Sequence, residues 1–375
     1  MKLKQLIRRI TRGVLAVVAG LGIQSTTHAA GLLTLDHPNV RAVVAVQNTL
    51  TTDLMKLPGV LGTAVGLDDS EQAALVIYVD QDSPSRADII RGLPPQVRGI
   101  GVKVELTEKF RAFAGKPPGA GGGGGGGGVS HTAKQTPPIQ LGTSGGWSKD
   151  LANGYCCGGT LGSLIQVNGV QYILSNYHVF ESDIVSGGNG IVATTGDNII
   201  QPGLIDVGCN AANAQNVATL VKLSSLPVNN VDCSVAQVIP GMVSGAILEI
   251  GPISSSTVGA RLTQAVKKSG RTTGLSSSTV SGLNATISIT YDNECAGGTA
   301  FPKTFTGQIV IANTRSKFLN AGDSGSLMVE NVTTNPRAVG LLYAGSSTSA
   351  IANPIGEVLT FIGGKLGGTA TMVGN

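Results

Sequence analysis

Three residues that lie far apart in the chain have the side-chain types needed for nucleophilic hydrolysis. Ser324 lies between an aspartate and a glycine in NAGDSGSLMV, just before an apolar, strand-like stretch. His178 is the only histidine after Ile139, and Asp232 stands where a polar segment enters the apolar VDCSVAQV. A serine hydroxyl becomes a nucleophile when a base takes its proton, and that base needs an acid that fixes its tautomer. Gly-Asp-Ser-Gly is also ordinary turn chemistry, so the rest of the chain must decide between a nucleophile and a turn residue.

The order of these residues excludes two common arrangements. No histidine follows Ser324, which excludes the Ser, acid, His order of the α/β-hydrolases, and Ser326 breaks their Gly-x-Ser-x-Gly turn. The subtilisin order would need an aspartate before His178, and Asp150 has no strand context to support it. The order His, Asp, Ser remains, with Asp206 in PGLIDVGC as the runner-up for the acid.

Short strands must position these side chains. Aromatic residues make up 4% of the 375 residues, charged residues make up 13%, and there are 54 glycines. This composition favours short strands joined by tight turns over long helices. Apolar stretches punctuated by Gly, Asn and Ser recur from residue 139 to residue 375, and only PIGEVLTFIGG near the end looks helical. We therefore predict an all-β domain, a barrel or a sandwich, over residues 139–375.

A low-complexity segment separates this domain from a smaller unit. Residues 115–138 include eight consecutive glycines and are predicted to be a flexible linker. Residues 30–114 contain one helix-like and three strand-like segments, which predicts a small α+β domain. Residues 1–29 have a basic start, a short apolar run and small residues near Ala29, the order of a secretory signal peptide. We expect a secreted protein, extracellular or periplasmic, with an uncleaved amphipathic anchor as the alternative.

The charge of the chain does not indicate a nucleic-acid partner. The formal net charge is +4, but the predicted signal peptide contributes five basic residues. Without them the charge is about −1, so no basic field for nucleic acid remains. The apolar run of the signal is too short to span a membrane comfortably, and we expect no membrane partner after its removal.

The cysteines and histidines do not predict a metal site. An odd number of cysteines in an exported protein allows disulfides but leaves at least one thiol unpaired or bonded between molecules. No Cys-x-x-Cys pair occurs, and a single histidine after residue 131 does not supply a zinc site of Cys and His ligands. We therefore expect neither a metal nor a cofactor. The five cysteines are Cys156, Cys157, Cys209, Cys233 and Cys295.

The second unit resembles the chymotrypsin-like (trypsin-fold) serine peptidases over nearly its whole length. CGGTLGSLI is similar to the opening segment of that family, LSNYHV to its histidine turn and VDCSVAQV to its aspartate strand. GDSGSLMV followed by VGLLYAG is similar to its nucleophile turn and specificity strand. KKSGRTTGL is similar to a segment of the bacterial secreted branch, the streptogrisin and α-lytic peptidases. The resemblance implies an all-β fold of two packed antiparallel six-stranded β-barrels, with the active site in the cleft between them.

The resemblance also implies the roles of particular residues. Ser324 would attack the scissile carbonyl, His178 would carry its proton, and Asp232 would orient the imidazole. The amides of Gly322 and Ser324 would bind the oxyanion. Residues of the substrate pocket would be Phe318 at the floor and a wall formed by Tyr343, Ala344 and Gly345.

Asp323 would form a structural ion pair with Lys268 in the same comparison, because a carboxylate that turns inward needs a cationic or hydrogen-bonding partner. The alternative is that Asp323 only caps a turn. Two departures from the pattern affect other features. Val179 replaces the cysteine that usually follows the histidine, so Cys157 lacks its usual partner, and Ser326 replaces the last glycine of Gly-Asp-Ser-Gly-Gly.

These observations predict a secreted serine endopeptidase, made as a pro-enzyme and acting on protein or peptide substrates as a monomer. The first unit would be a pro-domain that aids folding and inhibits the enzyme, with a substrate- or wall-binding module as the alternative. A secreted binding or scaffold protein that has lost turnover is a rival from another class, although all three triad residues are present. An esterase or acyltransferase on the same fold is the second rival, because the acyl-enzyme chemistry is shared.

Overall fold

The computed structural model describes residues 32–112, 129–152, 155–181, 193–291 and 301–375. The predicted signal peptide and the glycine run of the linker lie outside these residues, as do Asp292, Glu294 and Cys295. Within the described ranges, no helix is both long and apolar enough to cross a membrane. The α-helices of the described residues are α1 (Pro38–Leu54), α2 (Arg86–Gly92), α3 (Tyr177–Phe180) and α4 (Ile355–Leu366).

The first unit packs a long helix against a small mixed sheet. Its strands are β1 (Val60–Leu67), β2 (Ala73–Asp80), β3 (Gln96–Val97), β4 (Ile100–Thr107) and β5 (Phe110–Ala112). Helix α1 follows His37, whose ring Nδ1 accepts a hydrogen bond from the amide of Asn39 at 3.3 Å. The helix buries Val40 and Val43 in a core shared with β1 and β2. This α+β arrangement agrees with the sequence pattern of residues 30–114.

The first barrel closes because one of its strands bends at Gly162. Its sheet runs in the order β10-β7-β13-β14-β15-β12-β11, and a single glycine separates β10 from β11. The bent strand therefore supplies both edges of the sheet and makes a closed antiparallel barrel of six strands. The strands of this region are β6 (Ile139–Leu141), β7 (Thr143–Trp147), β8 (Leu151–Ala152), β9 (Tyr155–Cys156), β10 (Gly159–Leu161), β11 (Ser163–Val167), β12 (Val170–Ser175), β13 (Asn198–Gln201), β14 (Gln215–Val221) and β15 (Ser234–Val238).

The second barrel follows along the chain and is also closed. Its strands run in the order β17-β20-β21-β22-β19-β18, and a further pairing of β17 with β18 joins the two edges. Two antiparallel six-stranded barrels after a small α+β unit confirm the predicted fold class. The remaining strands are β16 (Val243–Ile247), β17 (Ala265–Lys268), β18 (Ser276–Tyr291), β19 (Phe301–Ala312), β20 (Leu327–Glu330), β21 (Ala338–Gly345), β22 (Ser349–Pro354) and β23 (Ala370–Met372).

The last part of the predicted linker belongs with the barrels. Residues 129–138 carry His131, whose buried ring lies 2.6 Å (Nε2) from Glu249 Oε2 and 2.9 Å (Nδ1) from the carbonyl of Gly142. Gln135 donates from its side chain to the carbonyl of Gln140 at 3.0 Å. The linker prediction therefore extends too far, because these polar side chains fix a segment whose composition suggested a flexible tether.

The first unit extends the sheet of the second barrel. Strand β1 pairs antiparallel with β18, with Gly62 opposite Ile287 and Thr63 opposite Thr286. Next to this pairing, the side-chain amide of Asn284 donates to Gln47 Oε1 at 3.0 Å. Strand β5 lies between β18 and β21, parallel to the first and antiparallel to the second.

The described cysteines differ in their bonding. Cys156 and Cys209 form a disulfide, and Cys157 is also disulfide-bonded. Cys233 is the free cysteine of the described residues, and burial next to Asp232 raises the pKa of its thiol well above the ordinary value. A buried thiol of this kind is unreactive.

Candidate active site

The candidate base sits on a single helical turn at the end of a barrel strand. Strand β12 ends at Ser175, and α3 places His178 at the edge of the first barrel with 8% of its surface exposed. Asn176 precedes the turn and donates from its side chain to the carbonyl of Asp232 at 2.7 Å. This bond ties the histidine turn to the segment that carries the candidate acid.

The candidate acid holds the imidazole at short range. Asp232 Oδ2 lies 2.6 Å from His178 Nδ1, and Asp232 Oδ1 accepts the amide of Tyr177 at 2.8 Å. The carboxylate is fully buried, and the amide of Asp232 itself donates to Asn353 Oδ1 at 2.9 Å. A buried carboxylate held in this way orients the imidazole, so that Nδ1 faces the acid and Nε2 faces away from it.

The candidate nucleophile lies in the turn before β20, in the second barrel. Ser324 is 3% exposed, and its hydroxyl donates a long hydrogen bond, 3.4 Å, to the carbonyl of Tyr343. His178 Nε2 is buried and has no hydrogen-bond partner among the described residues. Ser324 Oγ and His178 Nε2 are not hydrogen-bonded to each other in this structure. Proton transfer from the serine would need this donor and this unpartnered acceptor to come within hydrogen-bond reach.

Strand β10 brings the two turns together. The amide of Thr160 donates to the carbonyl of Ser324 at 2.8 Å. A methyl group built on Gly159 would lie 2.9 Å from that same carbonyl oxygen and 2.6 Å from Cγ2 of Val179, the residue after the histidine. The glycine is required here because both turns approach the strand backbone closely. Residues from the two barrels thus meet at one point.

The backbone of the nucleophile turn leaves two donors available. Gly322 has a φ of +93°, and a methyl group there would lie 2.6 Å from Thr272 Oγ1. Its carbonyl accepts the hydroxyl of Thr160 at 2.9 Å, which fixes the peptide plane. Within the described part of the chain, the amides of Gly322 and Ser324 donate to no backbone carbonyl. Two amides of this kind, on either side of Asp323, can bind a developing oxyanion.

Asp323 points away from the cleft and pairs with Lys268. Asp323 Oδ1 lies 3.2 Å from Lys268 Nζ, and both side chains are fully buried. The carboxylate also accepts the amides of Thr272, Thr273 and Asn320 at 2.9 to 3.1 Å. Burial lowers the pKa of Lys268, and the charge of Asp323 opposes that shift. The pair and its amide donors hold the turn that carries Ser324, so Asp323 does more than cap a turn.

The alternative candidate for the acid, Asp206, is bonded to an arginine and not to the histidine. Asp206 receives two hydrogen bonds of 2.6 Å from the guanidinium of Arg271, one to each carboxylate oxygen. It also accepts the hydroxyl of Ser144 at 2.5 Å. This bidentate pair is structural, and it leaves Asp232 as the carboxylate that contacts His178.

The four predicted pocket residues are all buried. Phe318 is in the hydrophobic core of the second barrel, and its carbonyl accepts the hydroxyl of Ser276 at 3.0 Å. Tyr343 and Ala344 are also buried, and Gly345 is opposite Arg111 of β5. The strand predicted to line the substrate pocket therefore contacts a strand of the first unit.

One contact of the site was missed by the sequence interpretation. The phenol of Tyr291, at the end of β18, donates to Asp232 Oδ2 at 2.9 Å. The residue lies 59 positions after Asp232 and in no quoted motif, so only the closure of the second barrel brings it near. No pattern of the sequence could have indicated it.

Several solved structures of chymotrypsin-like serine proteases resemble the chain at low sequence identity. They include a glutamic acid specific serine protease, protease A of Thermobifida fusca and the α-lytic protease homologue N4, at 16%, 16% and 18% identity. The matches cover 63%, 63% and 62% of this chain and 100%, 99% and 98% of those chains, with TM-scores of 0.40, 0.41 and 0.38. No family model and no curated protein matches.

Proposed function

We propose that the protein is a secreted serine endopeptidase that hydrolyses peptide bonds through an acyl-enzyme. The observation that carries the proposal is the short Asp232–His178 contact combined with the unpartnered Nε2 of His178 at the junction with the Ser324 turn. In a catalytic triad Asp232 would be the acid, His178 the base and Ser324 the nucleophile.

In this mechanism Ser324 Oγ forms a bond to the scissile carbonyl carbon while its proton passes to His178 Nε2. The amides of Gly322 and Ser324 stabilise the oxyanion, and Asp232 stabilises the imidazolium. His178 then protonates the leaving amine as the peptide bond breaks. Water attacks the acyl-enzyme, gives its proton to His178, and the proton returns to the serine as the acid product leaves. Every step uses side chains and amides of the chain itself.

The comparison of a protein with a simple ester as substrate tests this function. The processed enzyme should hydrolyse casein, and the Ser324→Ala variant should not. Hydrolysis of a simple ester with no cleavage of casein or of any peptide in a library would instead favour an esterase. A chain that cleaves neither substrate would favour the silent binding or scaffold protein.

The first unit is proposed to be a pro-domain. Its β1 continues the second-barrel sheet through β18, and its β5 lies against β21, beside the candidate substrate pocket. Because β5 runs antiparallel to β21 with Arg111 opposite Gly345, the chain direction along β5 leads toward Tyr343, whose carbonyl is bonded to Ser324. A strand in this place would block substrate. Such a contact supports inhibition, and the paired sheet supports a role in folding a barrel built from non-local contacts.

A close approach of two backbones makes the folding role testable. A methyl group on Gly62 would lie 2.6 Å from the carbonyl oxygen of Thr286 on β18. We expect Gly62→Ala to slow refolding of the full chain from denaturant by roughly tenfold, because overpacking there costs about 1–3 kcal/mol of docking free energy. The measurement is the rate of recovery of casein hydrolysis after dilution. Gly101→Ala is the control, because the nearest atoms to a methyl group there, within 4 Å, belong to side chains and not to a facing backbone.

Equal refolding rates for the two glycine variants would show that docking on β18 plays no part in folding. Two further results would contradict the pro-domain as a whole. One is a chain of residues 135–375 that refolds as fast as the full chain, and the other is a first unit that does not inhibit it. A substrate- or wall-binding module would then be the better interpretation.

Substrate preference is expected to be apolar at the residue before the cleaved bond. Phe318 supplies no carboxylate to a basic side chain, and an uncompensated buried charge costs several kcal/mol. An apolar side chain gains about 0.8 kcal/mol for each methylene it buries. Cleavage of a peptide library should therefore favour medium-sized apolar residues. A clear preference for Arg or Lys would show that Phe318 is not the floor of the pocket.

A further inference from the structure

The carboxylate of Asp232 receives a donor from the second barrel that no motif of the chain identifies. Tyr291 Oη donates to Oδ2 at 2.9 Å, and the same oxygen lies 2.6 Å from His178 Nδ1. The other oxygen, Oδ1, accepts the amide of Tyr177. Three donors, two from neighbouring residues of α3 and one from the end of β18, therefore converge on one fully buried carboxylate.

We propose that Tyr291 is a positioning residue for the candidate triad, which acts on the reaction through Asp232. The inference rests on the proposed peptidase function. Two donors on Oδ2 and one on Oδ1 fix the rotation of the carboxylate about its last side-chain bond. That rotation sets the plane of the Nδ1 hydrogen bond, and this plane in turn sets the direction in which Nε2 of His178 faces Ser324.

The surroundings of Tyr291 keep its phenol a neutral donor. Burial, with the charge of Asp232 as the next cause, raises the pKa of Tyr291 well above its ordinary value. Its ring packs edge-on against His178, with centroids 6.0 Å apart, and contacts Phe305 at 6.3 Å. The ring is therefore fixed on two sides while the hydroxyl is aimed at the carboxylate.

The tyrosine of the neighbouring strand does not supply this bond. Tyr343 is also fully buried near the site, but its hydroxyl donates to Gln308 Oε1 at 3.2 Å. That amide oxygen also accepts the side chain of Asn353 at 2.6 Å, and Asn353 Oδ1 accepts the backbone amide of Asp232, so the second phenol is linked to the backbone of Asp232 and not to its carboxylate. Among the described side chains, the hydrogen bonds to Asp232 Oδ2 come from His178 and Tyr291.

Replacing Tyr291 by phenylalanine tests the proposal because it removes the hydroxyl and keeps the ring. A hydrogen bond to a buried charge that tightens in the transition state is expected to change kcat by about 10- to 100-fold. We expect kcat to fall by that factor with KM unchanged, as for an interaction that does not contribute to substrate binding. The number of sites that react with a fluorophosphonate at long times should stay at the wild-type value, because the folded fraction at the assay temperature is unchanged.

Tyr172→Phe is the matched control, because Tyr172 is a buried tyrosine of β12 in the core of the first barrel. It should leave kcat and KM as in the wild type. A Tyr291→Phe enzyme with kcat within about twofold of wild type overturns the proposal. So does a fall in kcat matched by a loss of reactive sites, which would indicate a purely structural role. In both cases the wild type remains an active peptidase, whereas a wild type without turnover overturns the proposed function itself.

Discussion

Replacing Ser324 by alanine is expected to lower kcat by about 10⁴- to 10⁶-fold while the fold stays intact. His178→Ala should have a similar effect, because His178 is the base that the geometry offers and its Nε2 has no other partner in the described chain. Since the two residues act as one unit, the double variant should lose little more than either single variant. The measurement is kcat on a peptide substrate, with the circular dichroism spectrum as the test of folding.

Ser163→Ala is the control for the loss of a serine hydroxyl. Ser163 is buried in β11, and its hydroxyl has no hydrogen-bond partner among the described residues. Its removal should therefore leave kcat unchanged. An active His178→Ala enzyme, or losses that add fully in the double variant, would contradict the triad.

The second large effect is expected at the buried ion pair behind the nucleophile turn. Lys268→Met leaves Asp323 as a buried charge without its cation, and breaking such a pair costs about 3–5 kcal/mol. We expect the free energy of unfolding to fall by this amount and kcat to fall with it, because Asp323 lies between the two amides proposed to bind the oxyanion. Chemical denaturation and peptide hydrolysis measure the two effects.

The neighbouring lysine on the same strand is a matched control. Lys267 is partly exposed and donates to the carbonyl of Val332 at 2.8 Å. Lys267→Met should change stability by about 0.5 kcal/mol or less. Adding Asp323→Asn to Lys268→Met should recover part of the lost stability, because no charge then remains buried. A Lys268→Met protein as stable as Lys267→Met would show that the pair does not hold the turn.

The sequence predicted the barrels because their strands are short, apolar and separated by turn residues over long distances. The same reasoning could not predict how the barrels close. In the first barrel closure depends on a bend at Gly162, where a methyl group would lie 2.1 Å from the carbonyl of Gly325. Such a close approach between distant segments exists only in the folded chain. In the sequence it is marked by a single glycine, which looks like any other glycine.

The candidate site also contains some residues that the sequence could predict and one that it could not. Residues in recognisable turns, such as His178 and Ser324, could be found from the sequence. Among the acidic residues between them, local sequence context favoured Asp232, with Asp206 as the alternative. The structure then separates these, because Asp206 is held by Arg271 and Asp232 contacts the imidazole. Tyr291 could not be found, since a tyrosine at the end of an apolar strand looks like an ordinary core residue.

Covalent labelling with a fluorophosphonate, followed by mass spectrometry of the peptides, tests the central claim most directly. The processed enzyme should take up one equivalent of probe on Ser324, and His178→Ala should slow that reaction by several orders of magnitude because the serine loses its base. Labelling of another residue, or labelling of Ser324 at the same rate with and without His178, would contradict the account.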